Sequence, residues 1–321
     1  MTETAQASEI ERGRYAERPG EIPAKGLKDV AMRVYGALQE DRVMLIAAGV
    51  TFYLLLAIFP AMTALVSLYG FVADPGTIIE RLDFLRMVMP PDGLDIFFKQ
   101  MQSLASQEQS TLSFGLIFGL LVALWSANNG MKALFEAMNV AYGEDEKRSF
   151  IRLNIASLTF TFAGVLGAIV LIVGLGIIPA ILKFVHLGDG ASVFLNVLRW
   201  PVLLVLVAGG ISLLYRYGPS REPAKLRWLT WGAGLAALFW IAGSVGVSFY
   251  LSHVADYNAT YGALGALIGF LFWTWISAII VILGAELNAE LEHQTRNDTT
   301  TGEAQPMGSR GAYMADTVGG P

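Results

Sequence analysis

Apolar residues run along this chain in long blocks separated by short polar stretches. The first block, residues 43–73, holds 31 residues without a charged side chain. A helix rises about 1.5 Å per residue and a bilayer core is about 30 Å thick, so roughly 20 residues already cross it. Later blocks lie at 111–128, where a helical pattern continues to about 142, at 153–182, 194–217, 228–252 and 261–285. Six spans are expected. The fold class is all-α: a polytopic membrane protein with six transmembrane helices plus short amphipathic helices.

Between the blocks the period changes to that of one-sided helices. Leu27, Val30, Ala31, Val34 and Leu38 share a face over residues 25–41, with Lys28 and Arg33 off it. Such a helix either lies in the membrane interface or docks on the protein. Two more stripes, Ile78–Leu82–Leu85–Met89 and Leu94–Phe97–Phe98–Met101–Leu104, flank the turn Pro90-Pro91-Asp92-Gly93. They predict short amphipathic helices outside the membrane. Residues 1–24 and 293–321 show no sustained period and are expected to be disordered cytoplasmic tails around a membrane domain at 25–292.

Pro60 interrupts the first block. Proline lacks an N–H and clashes with the carbonyl four residues back, here that of Leu56, so a kink or break is expected. In hydrocarbon the freed carbonyl needs a polar partner. Pro179 falls in the last turn of the third block.

Composition agrees with the pattern: 54% of the 321 residues are hydrophobic and only 15% charged, with mean hydropathy +0.52. The net charge of −5 gives a nucleic-acid partner no electrostatic support. There are no cysteines, hence no disulfides or thiolate chemistry. The polar start of the chain predicts no cleavable secretory signal. Seventeen of the 22 Lys and Arg residues fall in the N-terminal segment, the second and fourth connections and the C-terminus. This bias places both termini in the cytoplasm, and the alternation fits six spans.

Catalytic constellations are not found. His186, His253 and His293 are far apart, and no H-E-x-x-H, phosphate loop or metal-ligand cluster occurs. No enzyme activity, no metal and no cofactor are expected. The 34 glycines include Gly115–Gly119, Gly243–Gly246 and Gly262–Gly265–Gly269, spaced for close helix packing. Trp273 and Trp275 lie inside the sixth block and are expected to pack between helices.

Polar residues at membrane depth are costly unless paired or used. Thr51 and Thr63 flank Pro60; Asn128, Glu136 and Asn139 follow the second block; Asn154 opens the third. Glu286 and Glu290 share a face after the sixth. Thr51, Pro60, Thr63, Asn128, Glu136, Asn139, Asn154 and Glu286 are the candidate cavity or substrate-path residues. The alternative is that the groups near the inner ends are ordinary helix ends reaching water.

Several groups of residues together resemble the YihY/BrkB family of bacterial inner-membrane proteins, historically mislabelled ribonuclease BN. These are Ala47-Ala48-Gly49 with Phe52-Tyr53 and Pro60; Glu136-Ala137-Met138-Asn139 with Tyr142-Gly143; Tyr215 and Pro219; Tyr261-Gly262; Trp273-Thr274-Trp275; and Leu283-Gly284-Ala285-Glu286-Leu287. Thr274-Trp275 departs from the aliphatic-tyrosine pair expected in many relatives. The resemblance implies a six-helix inner-membrane protein of the cell envelope, transporter-like or lipid-handling. The alternative is a scaffolding membrane protein that transports nothing. The partners implied are membrane lipids and a lipid or amphiphile substrate, with no nucleic acid; an oligomer is left open.

Overall fold

The computed structural model describes residues 3–72, 109–172, 189–253 and 265–320. Two helices precede the apolar blocks, α1 (Glu3–Glu11) and α2 (Ala24–Glu40), with a 3-10 turn at Pro19–Glu21 between them. Six long helices follow: α3 (Val43–Val72), α4 (Gln109–Ala141), α5 (Phe150–Ile172), α6 (Asp189–Tyr217), α7 (Leu226–His253) and α8 (Gly265–His293). A one-turn helix, α9 (Tyr313–Asp316), sits in the C-terminal segment. The expected amphipathic pair at 74–110 lies outside the described residues, as does Pro179.

The protein is helical because a helix satisfies its own backbone groups, which hydrocarbon demands. Among the described residues five stretches are long and apolar enough to cross a membrane: Val43–Ala61, Phe150–Leu171, Trp200–Tyr217, Leu226–Tyr250 and Leu267–His293. The helix of the expected second span, α4, is not among them. Phe114 and Phe118 on α4, Leu166 on α5, Val205 on α6 and Val245 on α7 are large apolar side chains left exposed. An apolar surface of that extent fits hydrocarbon rather than water.

α3 packs most extensively on α4, α8 on α7 and α3, α7 on α6, and α5 touches both α4 and α6. The long helices therefore contact one another in a cycle, and α8 also reaches α2, α4 and α9. Ala278, Ile282, Ala285 and Ala289 of α8 form one core with Val43, Ala47 and Val50 of α3 and Phe135 and Met138 of α4. These α8 positions recur at spacings of three and four, the period of one buried helical face.

Several expectations change. α3 runs unbroken through Pro60, so the chain absorbs the missing hydrogen bond without ending the helix. The last span and the Glu-rich stretch after it form one continuous helix, consistent with their Ala, Leu and Glu content. α2 docks on the protein: Val30 is buried with Ala16, Ile22, Trp228 and Leu291, and Asp29 pairs with Arg12 at 2.6 Å.

The terminal segments, expected to be disordered, are ordered and packed together. Arg14 donates to the Gln294 carbonyl at 3.2 Å and the Gly319 carbonyl at 2.6 Å. Arg310 donates to the carbonyls of Ala315 and Arg296 at 2.6 and 2.9 Å. An antiparallel bridge joins Ala224 to Thr300. Irregular backbone held by arginines carries no hydrophobic period, so pattern reading passes over it.

Candidate functional site

The turns between described helices collect at one end of the bundle. Asp41 and Arg42 join α2 to α3, with Arg42 in the left-handed region at φ +50°. Gly143, two residues past the end of α4, turns the chain away with a φ of +64°; a Cβ there would lie 2.8 Å from the Tyr313 ring. Asn139 of α4 accepts from the Ser220 amide at 2.7 Å and donates to Glu146 at 3.1 Å. Arg148 grips Glu146 at 2.6 Å and donates to the Gly218 carbonyl at 2.8 Å. Burial works against charge on Glu146, but hydrogen bonds from Arg148 and Asn139 outweigh it and hold the carboxyl down at about 2.

The end of α8 forms the middle of this polar cap. Glu286, Asn288, Glu290, Glu292 and Gln294 alternate with other residues, a spacing of two that no single helical face can hold. All five are nonetheless buried, so each meets a different neighbour. Asn288 turns to α7, accepting from the Gly232 amide at 2.8 Å and donating to the Leu229 carbonyl at 3.1 Å. Glu290 pairs with Arg33 of α2. Gln294 accepts from Arg33 at 2.8 Å and donates to the Arg12 carbonyl at 2.8 Å.

Glu292 and Arg221 pair at 2.7 Å with 0% and 1% of their side chains exposed. Thr299 also donates to Glu292 at 2.8 Å, and the Arg221 guanidinium lies 4.7 Å from the centre of the Tyr142 ring. The α7–α8 crossing is close because it is built on glycine. A Cβ on Gly284 would stand 2.8 Å from the Gly232 carbonyl oxygen and 2.9 Å from the Ala236 Cβ. It would also strike the Tyr215 hydroxyl, which donates to the Val281 carbonyl at 2.6 Å. Higher up, Trp273 donates to Ser244 and Trp240 to Ser277, both at 3.0 Å.

Glu286 differs from its neighbours. It is 1% exposed, and its Oε1 receives no hydrogen bond from any amide, amine or hydroxyl. Asp41 at the α2–α3 turn lies within electrostatic reach of it. Burial pushes the Asp41 carboxyl above its ordinary value; the interaction with Glu286 opposes this, and the charges of Glu40 and Glu290 add to it.

The other sequence candidates are dispersed. Thr51 is buried and returns its hydroxyl to the Ala47 carbonyl of its own helix at 2.8 Å. Asn154 caps locally on the Phe150 carbonyl at 2.7 Å. Glu136 is exposed, whereas Asn139, three residues on, is buried. Asn128 is buried on α4 with Oδ1 unpaired, as is the Ser126 hydroxyl. Pro60 is half-buried within α3, and the side chain of Thr63 lies outside the described residues. Asp41, Arg33, Arg221, Asn288 and Glu292 were not singled out from sequence. The spacing of two through 286–294 was the available signal: a helix end polar on every side needs partners on every side.

An all-helical bundle with apolar outer faces and a polar cap at one end defines a polytopic membrane protein. The sequence profile described as Virulence factor BrkB matches residues 34–308, and the chain belongs to that family. A ribonuclease-like protein YfkH of Bacillus subtilis is 32% identical over 78% of this chain and 90% of its own length. A UPF0761 membrane protein of Tolumonas auensis is 27% identical over 82% of this chain and 85% of its own. One from Haemophilus influenzae is 23% identical over 83% and 96%. No solved structure matches.

Proposed function

We propose that this protein is a six-span inner-membrane protein of the cell envelope, with both termini in the cytoplasm, that handles a lipid or another amphiphile as a transporter. The observation that carries the reading is a set of buried polar atoms without donors on two neighbouring helices: Ser126 Oγ and Asn128 Oδ1 on α4 and Glu286 Oε1 on α8. Unpaired polar groups in a low-dielectric interior are expensive. They suit a path that a polar headgroup occupies in turn. No catalytic step is assigned, because among the described residues no metal-binding group of acidic, His or Cys residues occurs and no nucleophile–base pair has been identified.

The test is leaflet exchange of a fluorescent phospholipid in vesicles that contain the purified protein. Exchange faster than in protein-free vesicles supports the reading; equal rates count against it. A scaffolding role is the second reading. The paired Trp–Ser bonds and the Gly232–Gly284 contact that clasp α7 to α8 favour it. It predicts no exchange for any amphiphile.

A further inference from the structure

One face of α4 is turned out of the bundle. Phe114, Phe118, Leu121 and Trp125 recur on it at spacings of three and four, each more than half exposed. Asn129, Lys132 and Glu136 continue the same stripe toward the polar cap. The outer surface of α4 therefore changes from apolar to polar between Trp125 and Lys132, roughly 10 Å apart along the axis. α5 touches α4 and makes the same change at its start. Arg152 is exposed there, and Ile155, Phe162 and Leu166 carry an exposed apolar surface onward. The two boundaries stand side by side, because Lys132 Nζ lies 5.9 Å from the centre of the Phe150 ring.

The cations at this boundary hold no carboxylate. Arg33, Lys147, Arg148 and Arg221 of the polar cap each pair with a glutamate. Among the described residues Lys132 and Arg152 form no ion pair. Glu136 stands one turn from Lys132 on the same face, at the spacing of four that lets such residues meet, yet they do not pair. Lys132 lies over the Phe150 ring instead, and Phe150 and Ile151 are 79% and 69% exposed. Two unpaired cations set among large exposed apolar side chains, where a hydrocarbon-facing surface ends, suit the headgroup level of a bilayer better than water.

We propose that the outer seam between α4 and α5 binds an anionic phospholipid of the leaflet on the polar-cap side. Its phosphate sits between Lys132 and Arg152, and its acyl chains run along Leu121 and Trp125 of α4 and Ile155 and Phe162 of α5. A zwitterionic headgroup carries its own ammonium beside the phosphate, so two cations select a headgroup of net negative charge. The site is on the outside of the bundle and holds for a transporter and for a scaffold alike.

Quenching of tryptophan fluorescence by phospholipids brominated on their acyl chains tests it, with the full-length protein in vesicles. The difference between a protein and its Trp125→Phe counterpart isolates Trp125. Brominated phosphatidylglycerol should reach half-maximal quenching of Trp125 at a membrane fraction about fivefold or more below brominated phosphatidylcholine, the factor expected of even one Lys or Arg beside an anionic headgroup. Lys132→Gln combined with Arg152→Gln should bring the two lipids to parity. Each single variant should lower the preference, and the pair of singles decides if the double variant does not fold. Arg227→Gln, at the exposed start of α7, should leave it unchanged. Equal quenching by the two lipids in the wild type overturns the proposal, as does a preference that survives loss of both cations. A preference that Arg227→Gln removes equally well would be general surface charge and overturns it too. So does a preference abolished by inorganic phosphate at constant ionic strength, which would make the ligand the free ion.

Discussion

Replacing Arg221 with alanine leaves Glu292 charged, buried and held by one hydroxyl. The structure sets the cost. The pair is closed to water, with exposures of 1% and 0%, and among the described residues its 2.7 Å contact is one of two hydrogen bonds to Glu292, the other coming from Thr299. Breaking a buried ion pair by removing one partner costs about 3–5 kcal/mol, because the remaining charge is stranded. Loss of the guanidinium from the Tyr142 ring, 4.7 Å away, adds up to about 2 kcal/mol. The Thr299 bond offsets part of this, so we expect a net loss near 4 kcal/mol. Unfolding in detergent micelles, followed by tryptophan fluorescence, measures it, since Trp228 is fully buried in the same polar cap. Adding Glu292→Gln should recover roughly half of the loss by removing the stranded charge. A loss under about 1 kcal/mol that shrinks further in salt is the behaviour of an exposed pair, and it would refute the reasoning.

Gly284→Ala should cost about 2–4 kcal/mol, from overpacking against Gly232 and Ala236 plus displacement of the Tyr215 hydroxyl. Adding Tyr215→Phe should make the alanine cheaper, and strictly additive losses in the same micelle assay would contradict the crossing described. Asn288→Leu should lose about 2 kcal/mol with its two bonds to the α7 backbone; no change would mean that α7 and α8 are held by the glycine contact alone. Two carboxyls give opposite pH slopes. Glu146, held down at about 2, adds stability above its unfolded value near 4.5 that is lost as the pH falls toward 2. Asp41, raised from 3.8, takes stability away as the pH rises above that value. Unfolding midpoints of Glu146→Gln and Asp41→Asn across pH 3–8 should therefore flatten opposite limbs of the wild-type curve, and identical curves would refute both. Because the chain has no cysteine, single cysteines at 145, 222 and 303 can be labelled cleanly. All three should react from one side of the membrane and Asp92→Cys from the other; any other pattern removes the six-span topology.

The apolar blocks made most of the helices legible, because hydrocarbon leaves few backbone choices and a block of 20 or more residues is hard to mistake. Breaks were read less well. Pro60 pointed to a kink or break, and of the two α3 shows no break, since the neighbouring turns of a long helix survive one missing bond. For the polar end of α8 one expectation was an ordinary helix end reaching water, while the structure surrounds that charge with Arg33, Arg221 and the termini. Glu286, a sequence candidate, is buried, and Asp41, within electrostatic reach of it, belongs to a turn some 245 residues earlier. No local pattern encodes that proximity. Arg14 and Arg310 show the same limit: their carbonyl contacts order the tails without any period in sequence.

The most direct test of the account compares wild type and Glu286→Gln in sealed vesicles loaded with fluorescent phospholipid. The two proteins must first show the same helix content and similar unfolding midpoints. The account predicts leaflet exchange well above protein-free vesicles for the wild type and a clear loss of that rate in Glu286→Gln. Wild-type exchange no faster than in empty vesicles, across a panel of phospholipids and other amphiphiles, would contradict transport and leave a scaffold.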